Sequence, residues 1–257
     1  MVPAMDEAKR IAGTHAVDDY MAEHGILEYN AIGIGTGSTI PYVVDRIRDL
    51  SRSSRPDLLS SRYIPTSYQS RQLILAAGLP LADLDICPRL DVAFDGADEC
   101  DLALNCIKGG GGAHLQEKVV ASCASQFIVV ADHRKDSKDL GEKWDKGVPL
   151  EVLPMACSPI RNRLLQMGAV RADIRMGVNK AGPVITDAGN MIVDAVFRDI
   201  PSPERLDSDL HRIPGILETG LFIRMVDIAY FGQSDGTVVK RRRRDSEHSD
   251  CSAEIRS

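Results

Sequence analysis

The sequence predicts an α/β protein: a parallel sheet with helices on both faces, and a smaller α+β unit set in late in the chain. Three observations carry this. Short β-rich runs alternate with helix-like segments through the first half, as βαβ units require. Each of four such runs ends in a polar cluster, where open parallel sheets place ligands. Near Leu140 the texture changes to strands joined by tight turns. At 257 residues and 44% hydrophobic content the chain is long enough to bury a real core.

In chain order, an amphipathic helix follows Asp6 and Glu7. Strands are expected at 31–35, 58–64, 92–94 and 127–130, with helices at 40–50, 68–77 and 113–124 between them. Beyond Leu140, strands are expected at 149–153, 170–178, 183–186 and 191–197, and helices at 158–166 and 203–211. Asn179-Lys180-Ala181-Gly182-Pro183 and Asp187-Ala188-Gly189-Asn190 mark antiparallel hairpins. The chain is then expected to return to the main sheet through 217–223 and 236–239. The resulting division is 1–140 with 214–240 as the catalytic unit, 141–213 as the small unit, and 241–257 as a basic and polar disordered tail.

Composition excludes several classes. A net charge of −6 argues against a duplex-binding protein, so no nucleic-acid partner is expected. The local exception, Lys240 to Arg244, reads as either a solvated tail or a nuclear address. No stretch approaches the ~20 apolar residues of a membrane span, and the N-terminus does not read as a signal peptide. The six cysteines form no C-x-x-C pair and several lie in apolar runs, so reduced thiols and a cytoplasmic location are expected.

The most informative stretch is Asp95-Gly96-Ala97-Asp98, then Lys108-Gly109-Gly110-Gly111-Gly112, then Glu117-Lys118. It collects carboxylates, an amine and an anion-accepting turn at the end of one strand and the start of one helix. Proton abstraction beside a carbonyl of a small phosphorylated or polyhydroxylated substrate needs that combination: a base, a cation for the oxyanion, and backbone N–H groups for anionic oxygens. Each part has a plainer alternative. Glu117 could serve only the helix dipole, Asp95 and Asp98 could be turn formers or caps, and the glycines could be a surface linker. Gly33-Ile34-Gly35-Thr36-Gly37-Ser38 lacks the third glycine of a dinucleotide fingerprint. It reads equally as a tight turn or as a phosphate cradle at a helix start. The histidines, including His114 and His133, show no metal-ligand spacing, and Trp144 and Tyr230 read as packing residues.

With these residues in hand, the chain resembles the A-type ribose-5-phosphate isomerase family, in its eukaryotic branch. The resemblance runs over about residues 8–239. It rests on Gly33-Ile34-Gly35-Thr36-Gly37-Ser38-Thr39, Ile64-Pro65-Thr66-Ser67, Asp95-Gly96-Ala97-Asp98-Glu99, Lys108 to Gly112 with Glu117-Lys118, Ala131-Asp132-His133-Arg134-Lys135, Thr186-Asp187-Ala188-Gly189-Asn190 and the segment from Pro214 to Phe222. It implies Rossmann-like layering with a smaller ferredoxin-like domain, assembled as a homodimer or homotetramer. It also implies a cytoplasmic, metal-independent aldose-ketose isomerase of the pentose phosphate pathway that needs no cofactor.

Residue by residue, the resemblance makes Glu117 the proton acceptor, Lys108 with Gly109, Gly110 and Gly111 the substrate loop, and Asp95 and Asp98 the paired carboxylates flanking Gly96 and Ala97. Thr36, Gly37, Ser38 and Thr39 form the binding turn, and Lys135 is a further binding lysine. Asp98 is expected to orient a substrate hydroxyl or Lys108, and Lys135 or Lys9 to face the phosphate. Two departures stand out: Asp187-Ala188-Gly189 where Asp-Asn-Gly is expected, and His114 where a small or apolar residue is usual. The rivals are a sugar-phosphate sensor without catalysis, for which no helix-turn-helix is apparent before Ile32, and an enzyme that enolises or deaminates a related aldose or amino-sugar phosphate.

Overall fold

The computed structural model of the chain describes residues 4–24 and 27–243. Its elements are, in order, α1 (Ala4–Glu23), β1 (Ala31–Ile34), α2 (Ile40–Ser51), β2 (Arg62–Pro65), α3 (Tyr68–Ala77), β3 (Leu90–Asp95), β4 (Glu99–Cys100), β5 (Cys106–Ile107), α4 (His114–Ser122) and β6 (Ala124–Asp132). There follow β7 (Val148–Val152), α5 (Cys157–Gln166), β8 (Arg171–Ile174), β9 (Met191–Val196), α6 (Pro203–His211), β10 (Ile216–Thr219), β11 (Leu221–Phe222), β12 (Ile228–Gly232) and β13 (Val238–Arg242).

The main sheet has the order β13-β12-β6-β3-β1-β2. All neighbours run parallel except the edge pair β12 and β13, so the sheet is mixed. Strand residues alternate between two cores, as the period of two dictates. Ile32, Ile34, Val92, Phe94, Ile128, Val130 and Tyr230 meet α1, α2 and α3 on one face. Ala31, Ala93, Phe127, Val129, Ala131 and Phe231 meet Val120 and Ala121 of α4 and Phe222 of β11 on the other. A second, antiparallel sheet of order β10-β7-β9-β8 packs on α5 and α6 around Leu150, Ile160, Leu164, Val193 and Leu210.

Several expectations change. Residues Pro56–Leu59 form a 3-10 turn led by Pro56 rather than the start of a strand, so β2 begins at Arg62. The expected strand at 170–178 stops at Ile174, because Asn179 and Gly182 turn the backbone at positive φ; only the Met176–Pro183 bridge remains of the expected strand at 183–186. The 217–223 run does not join the main sheet: β10 pairs with β7, and β11 joins β5 and β4 in a third, three-stranded sheet. The return is made by β12, an unforeseen strand, and by β13. The expected disordered tail begins too early, since Arg241 and Arg242 lie in β13, where Arg241 pairs with Asp136 and Arg242 with Glu23. Residues 244–257, the rest of that tail, lie outside the described residues.

Candidate active site

Asp95 ends β3 on the face that α4 covers, and Gly33 in β1 with Gly35 just after it make room for both. A Cβ on Gly33 would lie 2.8 Å from Val120 Cγ1, and one on Gly35 would lie 2.1 Å from Asp95 Oδ1. Close approach of helix and strand therefore depends on the missing side chains. Asp95 Oδ1 accepts hydrogen bonds from the N–H groups of Thr36 (2.9 Å) and Gly96 (2.7 Å), which hold the carboxylate in place.

Lys108 follows β5 and is buried. Its backbone N–H donates to Gly220 O at 2.8 Å, and a Cβ on Gly220 would strike Lys108 O. Its ammonium donates to Gly96 O and lies 3.1 Å from both Asp95 Oδ2 and Glu117 Oε2. Phe222 supplies a ring 5.2 Å from the same nitrogen. Asp95 Oδ2 and Glu117 Oε2 have no partner of hydrogen-bond geometry among the described residues. The Lys108 ammonium attracts both oxygens across 3.1 Å.

The electrostatics follow from two buried carboxylates sharing one cation. Burial, then repulsion from Asp95, pushes Glu117 up to about 8 against the pull of Lys108. Burial also raises Asp95, outweighing the Lys108 ammonium and the backbone donors. For Lys108 burial works against the charge, but Asp95 and Glu117 together prevail and hold it ionised. Burial and the Asp95 charge thus oppose ionisation of Glu117, while the single Lys108 ammonium favours it.

These groups border a cavity of about 170 Å³. It is lined by Thr36, Gly37, Ser38, Thr39, Gly96, Ala97, Asp98, Lys108, Gly109, Gly110, Gly111, Glu117 and Lys135, the residues singled out in the sequence, and also by Ala131 and Asp132. Asp95, expected from the sequence to meet substrate, is not among the lining residues and lies behind Lys108, 3.1 Å from its ammonium. Asp98 Oδ2 accepts the Gly110 N–H at 2.6 Å, so its recorded partner is the glycine loop rather than Lys108. The polar cluster after β2 stands behind the cavity: Thr66 and Ser67 meet the Thr36 hydroxyl at 2.8 and 2.7 Å. Thr39, at the start of α2, makes no side-chain cap; Pro41 has no N–H, and the Ile40 and Tyr42 N–H groups donate to Gly37 O at 3.4 Å and Thr39 O at 3.2 Å. Lys9 does not line the cavity; its ammonium is 4.0 Å from Asp6 Oδ1.

A family model described as Ribose 5-phosphate isomerase A (phosphoriboisomerase A) matches residues 62–236. The chain belongs to that family. The ribose-5-phosphate isomerase of Dictyostelium discoideum is 49% identical over 236 residues, covering 91% of this chain and 97% of the relative. That of Homo sapiens is 48% identical over 238 residues, covering 93% and 74%. A solved D-ribose-5-phosphate isomerase in complex with phospho-erythronic acid superposes with a TM-score of 0.84 at 40% identity, covering 93% of this chain and 99% of that one.

Sequence reasoning missed two neighbours of the loop. Trp144, read as packing, has its ring edge 2.8 Å from where a Gly110 Cβ would stand, and Lys135 lies 5.4 Å from the ring centre. Arg175, just past β8, donates to the loop carbonyls of Gly109 and Gly110. Neither belongs to a local motif, so only the fold could reveal them. His114, the departure from the family pattern, is buried behind Gly109, and burial followed by Lys118 and Arg175 pushes it down to about 3, so it is neutral.

Proposed function

We propose that this protein interconverts D-ribose 5-phosphate and D-ribulose 5-phosphate through an enediolate, with Glu117 as the single proton shuttle. The carrying observation is the Lys108 ammonium 3.1 Å from both Glu117 and Asp95. Glu117 takes the C2 proton as C1=C2 forms and the carbonyl electrons move to O1. Transfer of the O2 proton to O1 and return of the proton from Glu117 to C1 leave the carbonyl at C2. Lys108 stabilises the oxyanion. Asp95 moves a proton between O1 and O4 to open the furanose ring, and Asp98 shapes the loop that receives the sugar.

The phosphate is assigned to the Thr36–Thr39 turn with Lys135 as countercharge, because Lys108 is already engaged by two carboxylates. The reading includes a metal-independent homo-oligomer with separate catalytic and smaller units. It also places the protein in the cytoplasm, which is supported by the five described cysteines being free thiols. Among the described residues no helix is long and apolar enough to cross a membrane.

Rates with ribose 5-phosphate, arabinose 5-phosphate and glucosamine 6-phosphate test the reading. Turnover of the first alone is expected. Tight binding without turnover would make the protein a sensor, and preference for either of the others would move it to a neighbouring reaction.

A further inference from the structure

Arg175, the residue that follows β8, reaches the glycine loop by hydrogen bonds. Its Nε donates to Asp194 Oδ2 at 2.8 Å and its Nη2 pairs with Asp194 Oδ1, a fork that fixes the guanidinium plane. The remaining nitrogen, Nη1, donates to Gly109 O at 2.8 Å and to Gly110 O at 3.1 Å. Arg175 and Asp194 are both half-buried, and the contact with Gly110 O is open to solvent.

A trans peptide points its C=O and the following N–H in opposite directions. With Gly109 O drawn to Arg175, the Gly110 N–H must face the other way, and there it meets Asp98 Oδ2 at 2.6 Å. The first peptide plane of the loop is held at both ends. With Gly110 O also drawn to Arg175, the Gly111 N–H is turned away from the guanidinium, and Gly111 lines the substrate cavity. Within the turn the Gly112 N–H also donates to Gly109 O at 2.9 Å, so Arg175 adds a hold from outside to one the loop makes itself.

We propose that Arg175, braced by Asp194, is a positioning residue for isomerisation: it sets the glycine-loop peptide planes so that the Gly111 N–H faces the substrate oxygen that becomes negative. The proposal rests on the reading of the site as an isomerase. Arg175 touches neither substrate nor proton. Its effect falls on the transition state, where the oxyanion charge is greatest, and hardly on ground-state binding.

The test compares Arg175→Ala, Arg175→Lys and Asp194→Asn with the unaltered protein. The measurements are kcat and KM for ribose 5-phosphate, and inhibition by phospho-erythronic acid, whose carboxylate carries the charge the enediolate develops. Arg175→Ala should lower kcat by roughly 10²-fold while KM changes by less than about threefold, with inhibitor affinity falling alongside kcat. Added guanidinium should restore part of its rate. Arg175→Lys should fall between, since an ammonium cannot span two carbonyls and Asp194 in one plane. Should Arg175→Ala fail to fold by circular dichroism, Asp194→Asn decides, because it keeps the guanidinium but loosens it, and a loss of kcat of about tenfold is expected. Unchanged kcat in the folded variants, or a rise in KM alone, would overturn the role of Arg175. An unaltered protein without ribose 5-phosphate turnover would instead overturn the isomerase reading.

Discussion

The Lys108 ammonium stands 3.1 Å from the Glu117 carboxylate, inside the protein and with Asp95 at the same distance on another side. That spacing holds a carboxylate and an ammonium side by side at the wall of the cavity. It also sets the proton affinity of both acids, so chemistry and titration are linked through one nitrogen.

Glu117→Gln keeps the size of the side chain and removes the base. Isomerisation should fall by about 10²–10⁴-fold with little change in KM. Initial rates with ribose 5-phosphate check this, and activity retained within about tenfold would remove Glu117 from the shuttle role.

A base works only when ionised. Because burial and Asp95 raise Glu117 to about 8, kcat/KM should climb from about pH 6 to about pH 9 with a midpoint near that value. The limb belongs to the coupled pair. A profile already flat above about pH 6 would contradict it.

Lys108→Ala removes the oxyanion partner and leaves two buried acids without their cation. The expected loss is about 3–4 kcal/mol in the barrier, read as a fall in kcat larger than the rise in KM. A rise in KM alone would make Lys108 a binding residue. Both acids should move further up in this variant, shifting whatever residual activity remains to higher pH.

Gly35→Ala tests the backbone beneath the site. The new methyl would sit 2.1 Å from Asp95 Oδ1 and 2.6 Å from Asp95 Cα, so β1 and β3 must separate. A stability loss of about 1–3 kcal/mol is expected, with an activity loss greater than the unfolded fraction explains. Thermal melts beside rates at a temperature where the variant is folded provide the comparison.

The site was more legible in the sequence than the fold around it. Its groups cluster at strand ends and in one glycine run, where residue type follows from chemistry, so Thr36, Asp98, Lys108 and Glu117 stand out locally. Sheet membership is a different matter. The run at 217–223 is apolar enough to enter any sheet, and only pairing with Val152, Leu150 and Ile107 decides where it goes. Ile228–Gly232 is as apolar as β1 and runs into the polar turn Gln233-Ser234-Asp235-Gly236, so this strand was open to a local reading of the sequence. Arg175 meets glycines more than sixty positions away, and no local pattern announces such a contact.

Gly220 accepts from the Lys108 backbone and donates to Pro149 O, tying the lysine to chain made more than a hundred residues later. During synthesis, therefore, Glu117, Asp95 and Lys108 will have left the ribosome long before the strand that seats the lysine exists. The seat of Lys108 is thus completed only when Gly220 has been made, which places assembly of this corner late in the order of synthesis.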